Sequence, residues 1–202
     1  MIRVNARLFK AASLFQAKEN ETTRFYLCGV SIEPHPEGAL LAATDGWCLI
    51  VILDREAEAR RKAIVGLPAV LQGVLTDNAA DRTLRIDDAG VAVIDGHAAS
   101  AGNCLIDGEF PNWRKVFQRA ATQGPAAAYR GRYLGIFAEV ASLLGDRDDA
   151  GVQIAPTGPE GSGLVFFPRF RDAVGVLMPV RDGLTESELT VPAWIGLTAE
   201  AE

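Results

Sequence analysis

Few side chains in this sequence have the type and spacing for covalent chemistry. The chain holds two histidines, His35 and His97, so acid–base catalysis by imidazole has little material. His97 closes an Asp95-Gly96-His97 hairpin turn, and no nucleophile or base is spaced to partner it. Cys28, Cys48 and Cys104 lack the paired spacing of metal knuckles, and their apolar contexts are those of reduced core thiols. Asp87 and Asp88, and likewise Asp146, Asp148 and Asp149, lack calcium-loop spacing and read as solvated turns. The glycine-rich run from Thr157 to Gly163 has neither the lysine nor the following helix of a phosphate loop. No catalytic residue, metal site or cofactor is expected, and the chain does not read as an enzyme.

What remains is the chemistry of non-covalent binding. Leu40, Leu41, Ala42 and Ala43 form an apolar run that breaks on Thr44-Asp45-Gly46, where glycine permits backbone angles closed to other residues. A second apolar run follows from Leu49 to Leu53. The turn delivers Trp47 beside a strand, where an aromatic can reach a shallow groove.

Composition sets the outer limits. The sequence has 202 residues, 49% of them apolar and 23% charged, the balance of a globular protein with one large domain or two small ones. A net charge of −6 excludes affinity for nucleic acid over the whole surface but still permits a basic inner face. No uncharged apolar run is long enough to span a membrane, and Met1 to Asn5 lacks a signal-peptide core. With unpaired cysteines in apolar strands, a cytoplasmic location is expected.

Hydrophobic period divides the chain into three similar units. Unit one is a strand at Ile2 to Asn5, a helix at Ala6 to Ala17, and strands at Phe25 to Glu33 and Ala39 to Leu53. The helix sets Leu8, Phe9, Ala12 and Phe15 on one face and Arg7, Lys10 and Ser13 on the other. Glu56 to Lys62 is a charged connector. Unit two repeats the order, with a strand at Ala63 to Gly66, a short helix at Leu67 to Leu75, and strands at Thr83 to Asp87, Val91 to Ile94 and Ala98 to Ile106. Unit three has a strand at Ala126 to Tyr129, a helix at Tyr133 to Leu144, and strands at Val152 to Ala155, Leu164 to Phe167 and Ala173 to Met178. Residues 183–202 form a tail with an apolar patch around Val191 to Ile195. Units of ~60 residues are longer than solenoid repeats and point to an α+β fold, with shared antiparallel sheets and helices on one face.

Four motifs, in order, resemble those of the bacterial β sliding clamp, the DNA polymerase III beta subunit. Tyr26-Leu27-Cys28-Gly29-Val30 is similar to the family's Y-L-N-G-V, and Ala43-Thr44-Asp45-Gly46-Trp47-Cys48-Leu49 to its A-T-D-G-H-R-L. Ile106 to Arg114 resembles I-D-G-K-F-P-D-Y-R, and Met178-Pro179-Val180-Arg181 resembles M-P-M-R. The resemblance covers residues 1–182. It implies a complete clamp-like domain with linker over 1–119, like the family's middle domain, a half domain over 120–182, like the end of its last, and a tail beyond. The parts that close the family's ring have no counterpart here.

The resemblance also implies a function: a sliding-clamp-like processivity factor of DNA replication or repair, binding clamp-binding peptides of polymerases or repair proteins. On the family's peptide pocket fall Leu27, Thr44, Gly46, Trp47 and Leu49 from the first strands, and Pro111, Lys115 and Val116 from the linker. Leu164, Met178, Pro179, Val180 and Arg181 complete it from the end of the chain. Trp47 stands where the family has His, and Cys48 where it has Arg. A pocket role requires Met178 and Val180 to be partly exposed beside Trp47 and Pro111, whereas a core role would bury them. Arg7, Lys10 and Arg114 are the candidates to face double-stranded DNA, although a solvated helix face and a packed interdomain hinge are the favoured readings of them. A homo-oligomer is expected, with half domains able to pair across a dimer. The alternative is a regulatory or decoy module that binds the same peptides and never loads on DNA.

Overall fold

The computed structural model describes residues 1–20, 22–75, 82–97, 100–119, 127–145, 150–158 and 160–181. Unit one comprises β1 (Ile2–Asn5), α1 (Ala6–Ser13), β2 (Val30–His35), β3 (Gly38–Thr44) and β4 (Cys48–Asp54), followed by the short β5 (Glu58–Ala59). Unit two comprises β6 (Ala63–Val65), α2 (Ala69–Gln72), β7 (Thr83–Ile86), β8 (Ala92–Ile94), β9 (Ser100–Ala101) and β10 (Leu105–Ile106). After the linker helix α3 (Arg114–Arg119), unit three comprises α4 (Gly131–Gly145), β11 (Gln153–Ala155), β12 (Gly163–Phe166) and β13 (Ala173–Leu177).

The strands form two antiparallel sheets in an α+β architecture. One sheet runs β5-β1-β7-β8-β9 and the other β10-β6-β2-β3-β4-β13-β12-β11. The units interlock by exchange. β1 leads unit one but pairs with β7 of unit two, and β6 leads unit two but pairs with β2 of unit one. Unit three joins through β13, which pairs with β4 in the register Leu177↔Cys48, Val176↔Leu49 and Gly175↔Ile50.

Period-two alternation gives the large sheet two apolar faces. Leu41, Ala43, Ile50 and Ile52 point to one face, where Phe9 and Ala12 of α1 pack together with Tyr133 and Phe137 of α4. Phe15 and Phe137 meet edge to face at 4.8 Å, which ties unit three to unit one. Ala42, Leu49, Val51 and Val176 point to the opposite face, covered by Phe110 and by Trp113, Val116 and Phe117 of the linker. The groove described below lies on that second face.

Several local expectations shift. The Asn5 side chain caps α1, accepting from the N–H groups of Arg7 at 2.9 Å and Leu8 at 3.1 Å. The helix ends at Ser13 rather than Ala17, because the chain beyond it turns so that the Ala17 N–H donates to the Leu27 carbonyl at 2.9 Å. The strand expected from Phe25 opens instead as a 3₁₀ turn over Phe25–Leu27, its N–H groups used locally by Arg24 and Phe25 carbonyls, and extended pairing starts at Val30. The strand expected over Ala98 to Ile106 is divided between the two sheets as β9 and β10. Residues 127–129, expected as part of a leading strand, are not in a sheet; Ala128 accepts instead from the Val180 N–H at 2.9 Å. By the exchange seen in the other units, that strand would belong to a neighbouring unit's sheet, and no such sheet occurs among the described residues. Ala98, Asp146, Asp148, Asp149, the Arg119 side chain and the tail from residue 182 onward lie outside the described residues.

Candidate peptide-binding groove

The groove begins at the turn between β3 and β4. The Asp45 carboxylate accepts from the N–H groups of Trp47 at 2.8 Å and Cys48 at 3.0 Å, the local bonding that makes Asp a turn residue. The Thr44 hydroxyl donates to the Cys48 carbonyl at 2.6 Å and accepts from the Gly46 N–H at 3.0 Å. Gly46 sits at φ +95°, which only glycine adopts without strain. Arg132 at the start of α4 lies 3.7 Å from Asp45, so unit three braces the turn. Burial, reinforced by the Asp45 carboxylate, pushes the Cys48 thiol well above the ordinary thiol range. Cys48, Cys28 and Cys104 are all buried and free, and burial raises each thiol, which disfavours the thiolate form.

The register of β13 against β4 brings the end of β13 to this turn. The Met178 N–H donates to the Trp47 carbonyl at 3.0 Å, while the Met178 side chain remains 40% exposed. The linker closes the third side. Trp113 packs edge to face on Phe117 at 5.9 Å, and the Arg114 guanidinium stacks on Trp113 at 4.2 Å while pairing with Glu33 of β2 at 3.0 Å. Between these parts lies a groove of about 400 Å³. Leu27, Thr44, Gly46 and Leu49 line it from unit one, Pro111, Lys115 and Val116 from the linker, and Met178 from the end of β13. These are residues drawn from three distant stretches of sequence. Leu27, Leu49 and Val176 are buried and form the apolar floor, and the charged groups of the lining, Arg24 and Lys115, are both cationic and exposed.

The remaining candidates lie off the lining. Trp47 is 48% exposed at the lip, its ring under the Arg130 guanidinium at 4.4 Å. Leu164 pairs with Val176 across β12 and β13 and packs in the apolar layer beneath. Pro179, Val180 and Arg181 lead away as Val180 bonds to Ala128.

No protein-family model matches the chain, and no curated protein matches it. Solved structures do. The DnaN sliding clamp (DNA polymerase III subunit beta) of Bartonella birtlesii, bound to griselimycin, superposes with a TM-score of 0.63 at 15% identity, over 89% of this chain and 66% of that one. The DNA polymerase III subunit beta of Pseudomonas aeruginosa gives 0.61 at 15% identity over 90% and 66%, and the Bacillus subtilis sliding clamp 0.59 at 15% over 89% and 64%. This chain has the sliding-clamp fold. It spans just under two thirds of the length of the clamps it matches.

On this clamp fold the three candidate DNA-facing residues do not share one surface. Arg7 and Lys10 lie on α1, which covers one face of the large sheet. Arg114 lies on the linker over the opposite face and is engaged by Glu33. Among the described residues no group of three or more His, Cys, Asp or Glu could hold a metal ion, and no helix is long and apolar enough to cross a membrane.

Sequence reasoning missed five lining residues: Arg24, Asn112, Trp113, Ser162 and Val176. Val176 was within reach, since strand alternation places it on the same face as Met178. Asn112 and Trp113 lie inside the linker motif. Arg24 was hidden by reading its neighbours as a strand, and Ser162 lies in a loop without a local signal.

Proposed function

We propose that this chain is a sliding-clamp-like factor of DNA replication or repair, whose groove takes up short clamp-binding peptides of DNA polymerases or repair proteins. Copies of the chain would act as a homo-oligomer around double-stranded DNA. The observation that carries the reading is the convergence of the β3–β4 turn, the linker and the end of β13 on one apolar groove with Met178 left partly open. An apolar floor with a few polar groups at the rim suits extended peptide side chains. A clamp of this fold is bound to griselimycin and another holds a ligand, so ligand uptake is a property of similar proteins. The test is a fluorescence-anisotropy titration of a labelled clamp-binding peptide from a replicative polymerase. Saturable binding, competed by unlabelled peptide, supports the reading, and no binding at millimolar protein overturns it.

A second reading has its own support. α4 carries one basic residue, Arg132, and one acidic residue, Glu139, and Arg132 is turned toward Asp45. Binding that depends on phosphate neutralisation needs several cations aimed at DNA. A peptide-binding regulatory or decoy module that does not encircle DNA fits this sparse charge. Retention on closed circular DNA with loss from the linearised form supports the ring, and no retention on either supports the decoy.

A further inference from the structure

We propose that the C-terminal tail of this same chain is a built-in competitor for the groove, folding back so that the segment from Val191 to Leu197 occupies it. The inference rests on the peptide-binding reading and adds a regulator to that site.

The position of the tail is the first argument. The described chain ends at Arg181, three residues beyond Met178 on the groove wall, so the tail begins within a few residues of the site. The spacer 182–190 reaches at most ~30 Å when extended at ~3.3 Å per residue, ample to loop back across a groove of about 400 Å³. Composition is the second argument. Val191, Trp194, Ile195 and Leu197 form a closely spaced apolar cluster, the payload an apolar floor accepts. Pro192 biases Val191 toward extended backbone, the conformation that a groove-binding peptide needs. Charge is the third. Residues 182–202, the tail and the residue before it, carry Asp182, Glu186, Glu188, Glu200 and Glu202 with no Lys or Arg, whereas the charged groups lining the groove are Arg24 and Lys115. Acidic flanks around an apolar centre complement a cationic rim around an apolar floor.

A tethered competitor weakens an external ligand by its effective concentration divided by its own dissociation constant. With an effective concentration of ~1 mM and a tail affinity of ~100 µM, external peptides bind about tenfold more weakly to the wild-type chain. The experiment compares the full-length protein with full-length Trp194→Ser/Ile195→Ser, titrating each with the same labelled polymerase peptide. The tail variant is expected to bind about tenfold more tightly, by a factor independent of protein concentration. Equal affinities overturn the proposal while leaving the groove assignment standing. A factor that grows with protein concentration overturns the intramolecular arrangement. Failure of both proteins to bind the peptide overturns the groove reading and this proposal with it. As a direct check, Met178→Cys/Trp194→Cys should form a disulfide in monomeric full-length protein under mild oxidation, and Phe166→Cys/Trp194→Cys should not.

Discussion

Met178→Ala combined with Trp47→Ala should abolish practical peptide binding while leaving the fold intact. Met178 is 40% exposed, and full burial of such a side chain is worth ~1.5–3 kcal/mol, so covering the exposed part contributes ~0.6–1.2 kcal/mol. Trp47 is 48% exposed; covering about 100 Å² of its ring at ~25 cal/mol per Å² contributes ~2.5 kcal/mol. The sum of about 3 kcal/mol corresponds to a loss of roughly two orders of magnitude in Kd, an upper value because neighbouring sites do not add cleanly. Folding is spared because both side chains face solvent. The Met178 N–H to Trp47 carbonyl bond is main chain and survives, and losing the Arg130 stack costs about 0.5–1 kcal/mol. The assay is anisotropy with a labelled peptide in the Trp194→Ser/Ile195→Ser background, where no tail competes, alongside a thermal melt. Unchanged affinity in a variant with an unchanged melting temperature would refute the groove assignment.

Other consequences concern the scaffold of the groove. Gly46→Ala should cost about 1–2 kcal/mol from the backbone alone, since φ is +95° and nothing lies within 4 Å of the new Cβ. Gly38→Ala should cost more, because its Cβ would also fall 2.0 Å from the Asp54 carbonyl oxygen; urea denaturation ranks the two. Gly175→Ala drives a Cβ to 2.2 Å from the Phe137 ring and should destabilise the chain by at least ~1–3 kcal/mol, exposing α4 in hydrogen exchange before α1. Arg55 binds both oxygens of Asp172, at 2.8 and 2.7 Å, and also pairs with Glu37. The hydrogen bond from Arg55 holds the Asp172 carboxyl below its ordinary value of 3.8, so its contribution is present above that pH and is lost as pH falls through the folded value. Asp172→Asn should therefore cost ~0.5–1 kcal/mol at pH 7, with the gap to wild type closing only as pH falls below 3.8 in denaturation curves.

The parts of the fold written in local sequence were legible. The apolar runs on either side of Thr44-Asp45-Gly46 became β3 and β4, and the break became an Asp-bonded turn, because Asp and Gly act through their own backbone. The helix expected over Tyr133 to Leu144 is stopped at Gly145, and α4 ends there. What failed depended on distant partners. Residues 14–17 carry a helical pattern but serve a tertiary contact, with Phe15 reaching Phe137 and Ala17 bonding to Leu27. Residues 127–129 carry a strand pattern, but among the described residues there is no neighbouring sheet for them to enter. In the groove, motif residues supplied one wall from each of three stretches, yet Arg24 and Ser162 arrive only through the 3₁₀ turn and the loop before β12, which no spacing announces. Trp47 and Val180 sat in the right motifs and still fell outside the lining, since motif membership does not fix where a side chain points.

The central claim is that an extended peptide lies between the β3–β4 turn, the linker and the end of β13. Hydrogen-exchange mass spectrometry of the Trp194→Ser/Ile195→Ser chain, whose groove has no tail competitor, with and without saturating polymerase peptide tests it most directly. The account predicts new protection confined to peptides covering 44–49, 112–117 and 176–180. Protection centred instead on α1 and α4, or on the edge strand β11, would contradict it.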